Sequence, residues 1–280
     1  MTETNRTRAT IVHPTDFAAG AAAAFAHALA MTVASKAELR LLRVRVEDGP
    51  YLSQTHGLRQ VRDLLARWGI VDKDAPYDRW DARLDFRVSS SSIAARNPRA
   101  GVLDYLDDSP CDLVVLASYP NRSPALWLDG SVHGRLLRQG RLMSLFIRES
   151  ERGFVDMDTG AITLKKILVP IDASLDSVSA IRRLKSILKL SACEASLEIM
   201  HVGKRAPEPI GENGEPFGRP ILLREGPVVD TILATASELD VGAIAMPTAG
   251  RHGLIDAMRG STSARIVDDG RWPVLALPVG

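Results

Sequence analysis

The sequence predicts an α/β protein built from two similar halves, each an open parallel sheet flanked by helices. Three observations predict it. First, the chain repeats itself: Val12-His-Pro-Thr-Asp16, an alanine-rich helix and the strand Leu39–Val46 recur as Val169-Pro-Ile-Asp172, a second helix and Leu197–Val202. Second, each half later closes with an apolar strand, a short linker and a Gly-Ser pair, Gly130-Ser131 and Gly260-Ser261. Third, strands alternate with helices, which means βαβ units with right-handed crossovers. A repeat of this length fixes the domain count of a 280-residue chain at two.

The elements follow in order. Ala9 to His13 is a short apolar run stopped by Pro14 and reads as a strand. Ala19 to Ser35 is rich in helix formers and has no Gly or Pro after Gly20. Leu39 to Val46 fits a strand buried on both faces. Val61 to Trp68 has helical spacing, with Gly69 as its stop signal. Arg83 to Val88 alternates and reads as the third strand. Ala100–Leu106 and Ser131–Gln139 are expected helices; Asp112–Ala117 and Leu142–Ile147 are expected strands. The second half repeats the order with Lys166–Val169, Ser174–Leu190, Leu197–Val202, Ile221–Arg224, Val228–Glu238, Gly242–Met246, Ser261–Asp269 and Val274–Leu277. The polar, Gly-bearing stretch 150–164 makes the best linker, which places the domains at 8–149 and 165–280.

The halves differ in one place. Val44 and Gly130 are 86 positions apart, whereas Val202 and Gly260 are 58 apart. The helix before the third strand is missing from the second half. Gly203 to Pro220 replaces it, rich in Gly and Pro, as a surface loop or a mobile cover over a neighbouring pocket.

Composition excludes several function classes. The chain is 45% hydrophobic and 25% charged with a formal net charge of +1, so nothing global favours nucleic acid or anionic lipid. Cys111 and Cys193 form no CxxC and no disulfide framework. Arg6 and Arg8 precede an alanine-rich run, but Pro14, Asp16 and His27 spoil it as a signal core or a membrane span; the expected localisation is cytoplasmic. The four tryptophans lack even spacing and read as packing or interface residues.

Open parallel sheets bind ligands beyond the C-terminal ends of their strands, where the strand order reverses. Three pieces of the second half converge there: Asp172 after the first strand, Val202 at the end of the second, and the segment Met246 to Thr262 after the fourth. That segment carries Gly250, Gly253 and Gly260 and runs into a helix N-terminus, whose unpaired N–H groups and partial positive charge suit phosphate. Ser261 and Thr262 either cap the helix or bond phosphate oxygens. Asp172 is either a turn residue or an acceptor for an adenine amine or ribose hydroxyl, and Arg251 and Arg259 are either exposed or phosphate-neutralising. His13 has no partner visible in sequence, and His201 and His252 lack a second ligand at metal spacing, so no metal site is expected.

On these residues both halves resemble universal stress protein domains of the UspA superfamily. The resemblance covers nearly the whole chain except the ends and the linker. It implies two tandem Rossmann-like domains of the adenine nucleotide alpha hydrolase type, each with strand order 3-2-1-4-5. Nucleotide-binding members carry Gly-x2-Gly-x9-Gly-Ser/Thr after strand four and an Asp after strand one. In the second half Pro170, Ile171 and Asp172 match the neighbourhood of that Asp, Val202 matches a residue near the adenine, and Gly250, Gly260 and Ser261 match the later motif positions. Pro247 stands at the first glycine and Ala249 where the family often has His, so one donor or glycine conformation is lost. In the first half Ala117 and Pro120 replace the first two glycines, which implies a closed or degenerate site. The implied ligand is ATP in the second domain, with Mg²⁺ only as its companion. The resemblance also implies pairing of the two last strands within the chain and leaves a homodimer open. An interaction scaffold without nucleotide is the alternative. No P-loop, Gly-x-Gly-x-x-Gly turn or Gly-x-Ser-x-Gly elbow is present, so no catalytic residue is named.

Overall fold

The computed structural model describes residues 8–17, 19–46, 55–74, 81, 84–118, 142–149, 153–172, 176–190, 193–208, 218–249 and 262–279. The first half supplies strands β1 (Thr10–Pro14), β2 (Glu38–Val46), β3 (Arg87–Ala95), β4 (Leu113–Ser118) and β5 (Ser144–Arg148). Its described helices are α1 (Ala22–Ser35), α2 (Thr55–Arg67) and α3 (Pro98–Asp108). The second half supplies β6 (Lys166–Pro170), α4 (Ser177–Leu190), β7 (Ser196–Val202), β8 (Leu222–Arg224), α5 (Val228–Glu238), β9 (Ala243–Ala249), α6 (Thr262–Asp269) and β10 (Val274–Val279). The helix expected over Ser131–Gln139 lies outside the described residues.

The strands form one sheet in the order β3-β2-β1-β4-β5-β10-β9-β6-β7-β8. Each half therefore has the order 3-2-1-4-5, and the halves meet back to back. The seam is antiparallel, with Val274↔Phe146, Leu275↔Leu145 and Ala276↔Ser144; the other strand pairs are parallel. Joining the two last strands removes two edges that would otherwise offer unpaired backbone groups. Strand residues alternate between two apolar layers. One face packs on α1, α2 and α4, the other on α3, α5 and α6. Both layers cross the seam without interruption.

The repeat extends to individual hydrogen bonds. Thr15 donates to Leu42 O at 2.9 Å, as Ile171 donates to Met200 O at 2.8 Å. Asp112 donates to Thr10 O and Val114 to Met143 O, as Gly242 donates to Lys166 O and Ile244 to Pro273 O. These pairs make His13 the counterpart of Val169, and Val115 the counterpart of Ala245.

Two expected strand positions need correction. The third strand runs over Arg87–Ala95, not Arg83–Val88. The alternation through Leu84 and Phe86 marks the approach, where Phe86 is buried, but the ladder begins at Glu38↔Arg87 and continues through four serines. An edge strand is only partly covered, so serine is tolerated there although sequence propensity does not favour it. The strand expected to end at Met246 runs on to Ala249, because β10 supplies partners up to Ala249↔Val279.

Residues 153–164 of the polar segment between the halves are folded. This stretch bridges Val155↔Ile162 and buries Phe154 and Val155 in the core. His27 of α1 holds it: His27 Nε2 accepts from Phe154 N–H at 2.9 Å, and the rings of His27 and Phe154 meet edge-on at 4.5 Å. Trp68 of α2 adds a second tie, donating from Nε1 to Met157 O at 3.1 Å. Gly153 has φ +71°, and a Cβ there would stand 2.3 Å from His27 Nε2. Gly153→Ala is expected to cost about 2 kcal/mol or more, from a strained φ and a ring that hydrogen bonds keep from moving aside. Urea titration of the variant measures it.

Candidate functional site

The strand order reverses twice, between β1 and β4 and between β6 and β9. Both junctions splay. The β1·β4 ladder consists of Ile11↔Leu113 and Val12↔Val114, and the β6·β9 ladder of Ile167↔Ala243 and Leu168↔Ile244. Beyond those pairs β9 continues to Ala249 along β10, while β6 turns off after Pro170. Each junction therefore opens a crevice at the C-terminal ends of its strands, where α/β sheets bind ligands.

The two crevices differ first at one strand position. In the first half, His13 points across the gap, and its Nδ1 donates to Val115 O at 2.9 Å. A carbonyl only accepts, so Nδ1 carries the proton. The ring is fully buried and ties β1 to β4 where the backbone ladder has ended. Burial holds the imidazole at a pKa of about 4, against opposing contributions from the Val115 carbonyl and Asp16. The second half has Val169 at this position, and valine cannot make that tie.

The turns that follow also differ. Phe17 adopts φ 61°, and its N–H donates to Thr15 Oγ1 at 3.0 Å. Its ring meets Phe25 edge-on at 6.2 Å and lies over Gly57 of α2, where a Cβ would come within 2.6 Å of the ring tip. The residue after Asp16 is thus packed between α1 and α2. In the second half His201 of β7 donates from Nδ1 to Ile171 O at 2.9 Å. With the Ile171–Met200 bond, both backbone groups of Ile171 are anchored to β7. Asp172, the next residue, is exposed at the mouth.

The structure places only part of the expected site residues. Pro170, Ile171 and Asp172 end β6 at the crevice, and the first two are buried. Val202 ends β7, half-buried and paired with Arg224 of β8. Met246 sits inside β9 with its side chain in the core layer toward α5 and α6, so it does not follow the strand as expected. Pro247 is likewise a strand residue, opposite Leu277 of β10. Thr262 opens α6. Gly250, Gly253, Gly260 and Ser261 lie outside the described residues, as do Arg251, His252 and Arg259, and Gly130-Ser131 of the first half. The roles of His13 and His201 are what sequence reasoning missed. Their partners are backbone carbonyls 102 and 30 positions away, which no local pattern signals. Among the described residues no three His, Cys, Asp or Glu side chains gather as a metal site, and no helix is long and apolar enough to cross a membrane.

The model of the universal stress protein family matches residues 7–148 and 211–278. The chain belongs to the universal stress protein family. The matched regions leave out 149–210, which carry Asp172 and Val202, yet the backbone bonds of β6 and β7 reproduce those of β1 and β2. Among solved structures, a universal stress protein from Archaeoglobus fulgidus is 16% identical, covers 98% of this chain and 100% of its own, and gives a TM-score of 0.62. A functionally unknown protein from Pseudomonas aeruginosa is 16% identical over 97% of this chain and 92% of its own, with a TM-score of 0.60. These likenesses establish a tandem fold in which one chain holds two universal stress protein domains. A universal stress protein solved in complex with cAMP is 19% identical, covers 52% of this chain and 100% of its own, and gives a TM-score of 0.34. No curated protein matches the chain significantly.

Proposed function

We propose that this universal stress protein holds an adenine nucleotide, ATP in the first instance, in the β6/β9 crevice of its second half and changes its partner contacts with occupancy. The observation that carries this reading is the contrast between His13, which bonds across the first crevice to Val115 O, and Val169, which leaves the second without such a tie. Asp172 stands exposed at that mouth on a backbone anchored by His201. Its carboxylate would accept from the adenine amine or a ribose hydroxyl. The first turn of α6, from Thr262, would face the phosphates with its unpaired N–H groups. The nucleotide would supply Mg²⁺ coordination through its phosphate oxygens. No general base or nucleophile is assigned, so any ATP hydrolysis is slow and incidental. The protein would act in the cytoplasm, as a single chain or a homodimer.

Mass spectrometry of small molecules released from the denatured protein, followed by calorimetric titration with ATP and Mg²⁺, tests the reading. Asp172→Ala should weaken ATP at least about tenfold, the loss of one charged hydrogen bond. Asp16→Ala should leave affinity unchanged. Equal loss from both variants would move the site, and absence of binding in both measurements would remove it.

A second reading has its own observation. Pro247 lies within β9 opposite Leu277, so the strand extends through the position of the first motif glycine. A domain altered there could serve as a nucleotide-free scaffold, with the continuous sheet as its frame.

A further inference from the structure

At the other end of the sheet, far from the crevice, two voids share a wall. The first is a small apolar cavity of about 30 Å³ under the interdomain seam, bounded by Met31 of α1, Leu145 of β5, Phe154 of the connecting segment, Leu188 of α4, Leu275 of β10 and Cys193. Every lining side chain is apolar or a thiol. A void of this size has room for a water, but without polar partners it stays dry. The second is an open groove of about 690 Å³ along α4 and the start of β7. Its floor includes Leu188, Cys193, Ala195 and Leu197, and its rim carries Lys185, Lys189 and Arg219 against the single carboxylate of Glu194. Leu188 and Cys193 line both voids and form the partition between them.

The rim chemistry is set by helix geometry. Lys185 and Lys189 are four residues apart on α4 and so project from one face, with Leu188 beside them pointing inward. Both lysines and Arg219 are exposed, and none has an ion-pair partner among the described residues. The neck is apolar too: Cys193 donates its S–H to Leu164 O at 3.4 Å, and burial pushes its thiol up from the ordinary cysteine value. A bare anion would use the rim and waste the apolar floor; a neutral hydrocarbon would waste the rim.

We propose that this groove binds a single-chain anionic amphiphile of the fatty-acid class, its carboxylate between Lys185, Lys189 and Arg219 and its chain along Leu197 and Leu188 toward the dry cavity. The chain end displaces the Leu188–Cys193 partition and covers the Cys193 thiol. The site shares no residue with the nucleotide crevice, so either assignment can fail alone.

The test uses the full chain with laurate, dodecanol and dodecylammonium as probes below their self-association limits. Calorimetry should show saturable laurate binding, dodecanol at least about tenfold weaker and no dodecylammonium binding. Lys185→Glu with Lys189→Glu should weaken laurate at least about tenfold and leave dodecanol unchanged. Saturating laurate should also slow alkylation of Cys193 by N-ethylmaleimide, read by peptide mass spectrometry with buried Cys111 as internal reference. Equal binding of the three probes, laurate binding without protection of Cys193, or no laurate binding would each overturn the proposal.

Discussion

Lowering the pH from 7 to 4 should strip on the order of 6 kcal/mol from the folding stability of this protein. Two histidines are responsible. His13 and His27 are both buried, and burial holds each at a pKa of about 4 in the folded state, against 6.5 for the free side chain. Below pH 6.5 the unfolded chain takes up two protons that the folded chain refuses, so the unfolded state gains. The stability is fully present well above pH 6.5, falls as pH drops, and levels off below about pH 4, where the folded state is protonated as well. Each histidine contributes on the order of 3 kcal/mol. Their hydrogen bonds agree with neutral rings. His27 Nδ1 donates to Ala23 O at 2.7 Å while Nε2 accepts from Phe154 N–H, so an added proton on Nε2 would face another proton. His13 Nε2 is buried with no partner among the described residues. Denaturant titrations between pH 7.5 and 4 measure the slope. His13→Val, which installs the residue found at the equivalent Val169, should remove about half of it. A His13→Val protein with the parental slope would rule His13 out as the cause.

Phe146→Ala should cost about 3–5 kcal/mol and lower the stability of both halves together. Phe146 is 1% exposed in the middle strand pair of the seam. It pairs with Leu116 of β4 on one side and Val274 of β10 on the other. Its ring belongs to the apolar layer that includes Val12 and Val114 of the first half and Leu168 and Ile244 of the second. A cavity at that point removes contacts from both domains. Arg148 adds a polar tie across the same seam, donating to Gly270 O at 2.6 Å. Calorimetry of the variant should therefore show one transition at a lower temperature. Two separated transitions, one of them at the parental temperature, would mean that the domains fold independently despite the shared sheet.

Much of this architecture was legible in the residues. α5 has the expected limits, Val228–Glu238, because its periodicity is clean and Pro227 and Asp240 bracket it. The central strands were legible because burial on both faces demands continuous apolar runs, as in Leu113-Val-Val-Leu-Ala. β3 was not, because an edge strand takes its limits from the length of β2 and not from its own side chains. The segment 150–164 has polar letters, yet Phe154 and Val155 enter the core and Met157, Ile162 and Leu164 pack against it. The end of β6 was legible as a candidate site, since Asp172 repeats Asp16. The difference between the two crevices was not, since it depends on what His13 reaches across the sheet.

The sequence alone determined the duplication, the α/β class and the family, because periodicity and repeat length are local properties of the chain. Only the tertiary structure decided that the seam pairs Phe146 with Val274, that His27 clasps a segment 127 positions away, and that His13 reaches across the β1/β4 junction to the Val115 carbonyl, a bond that Val169 cannot make in the second half. Those outcomes rest on hydrogen bonds and burial between distant residues, and such contacts leave no period in the letters.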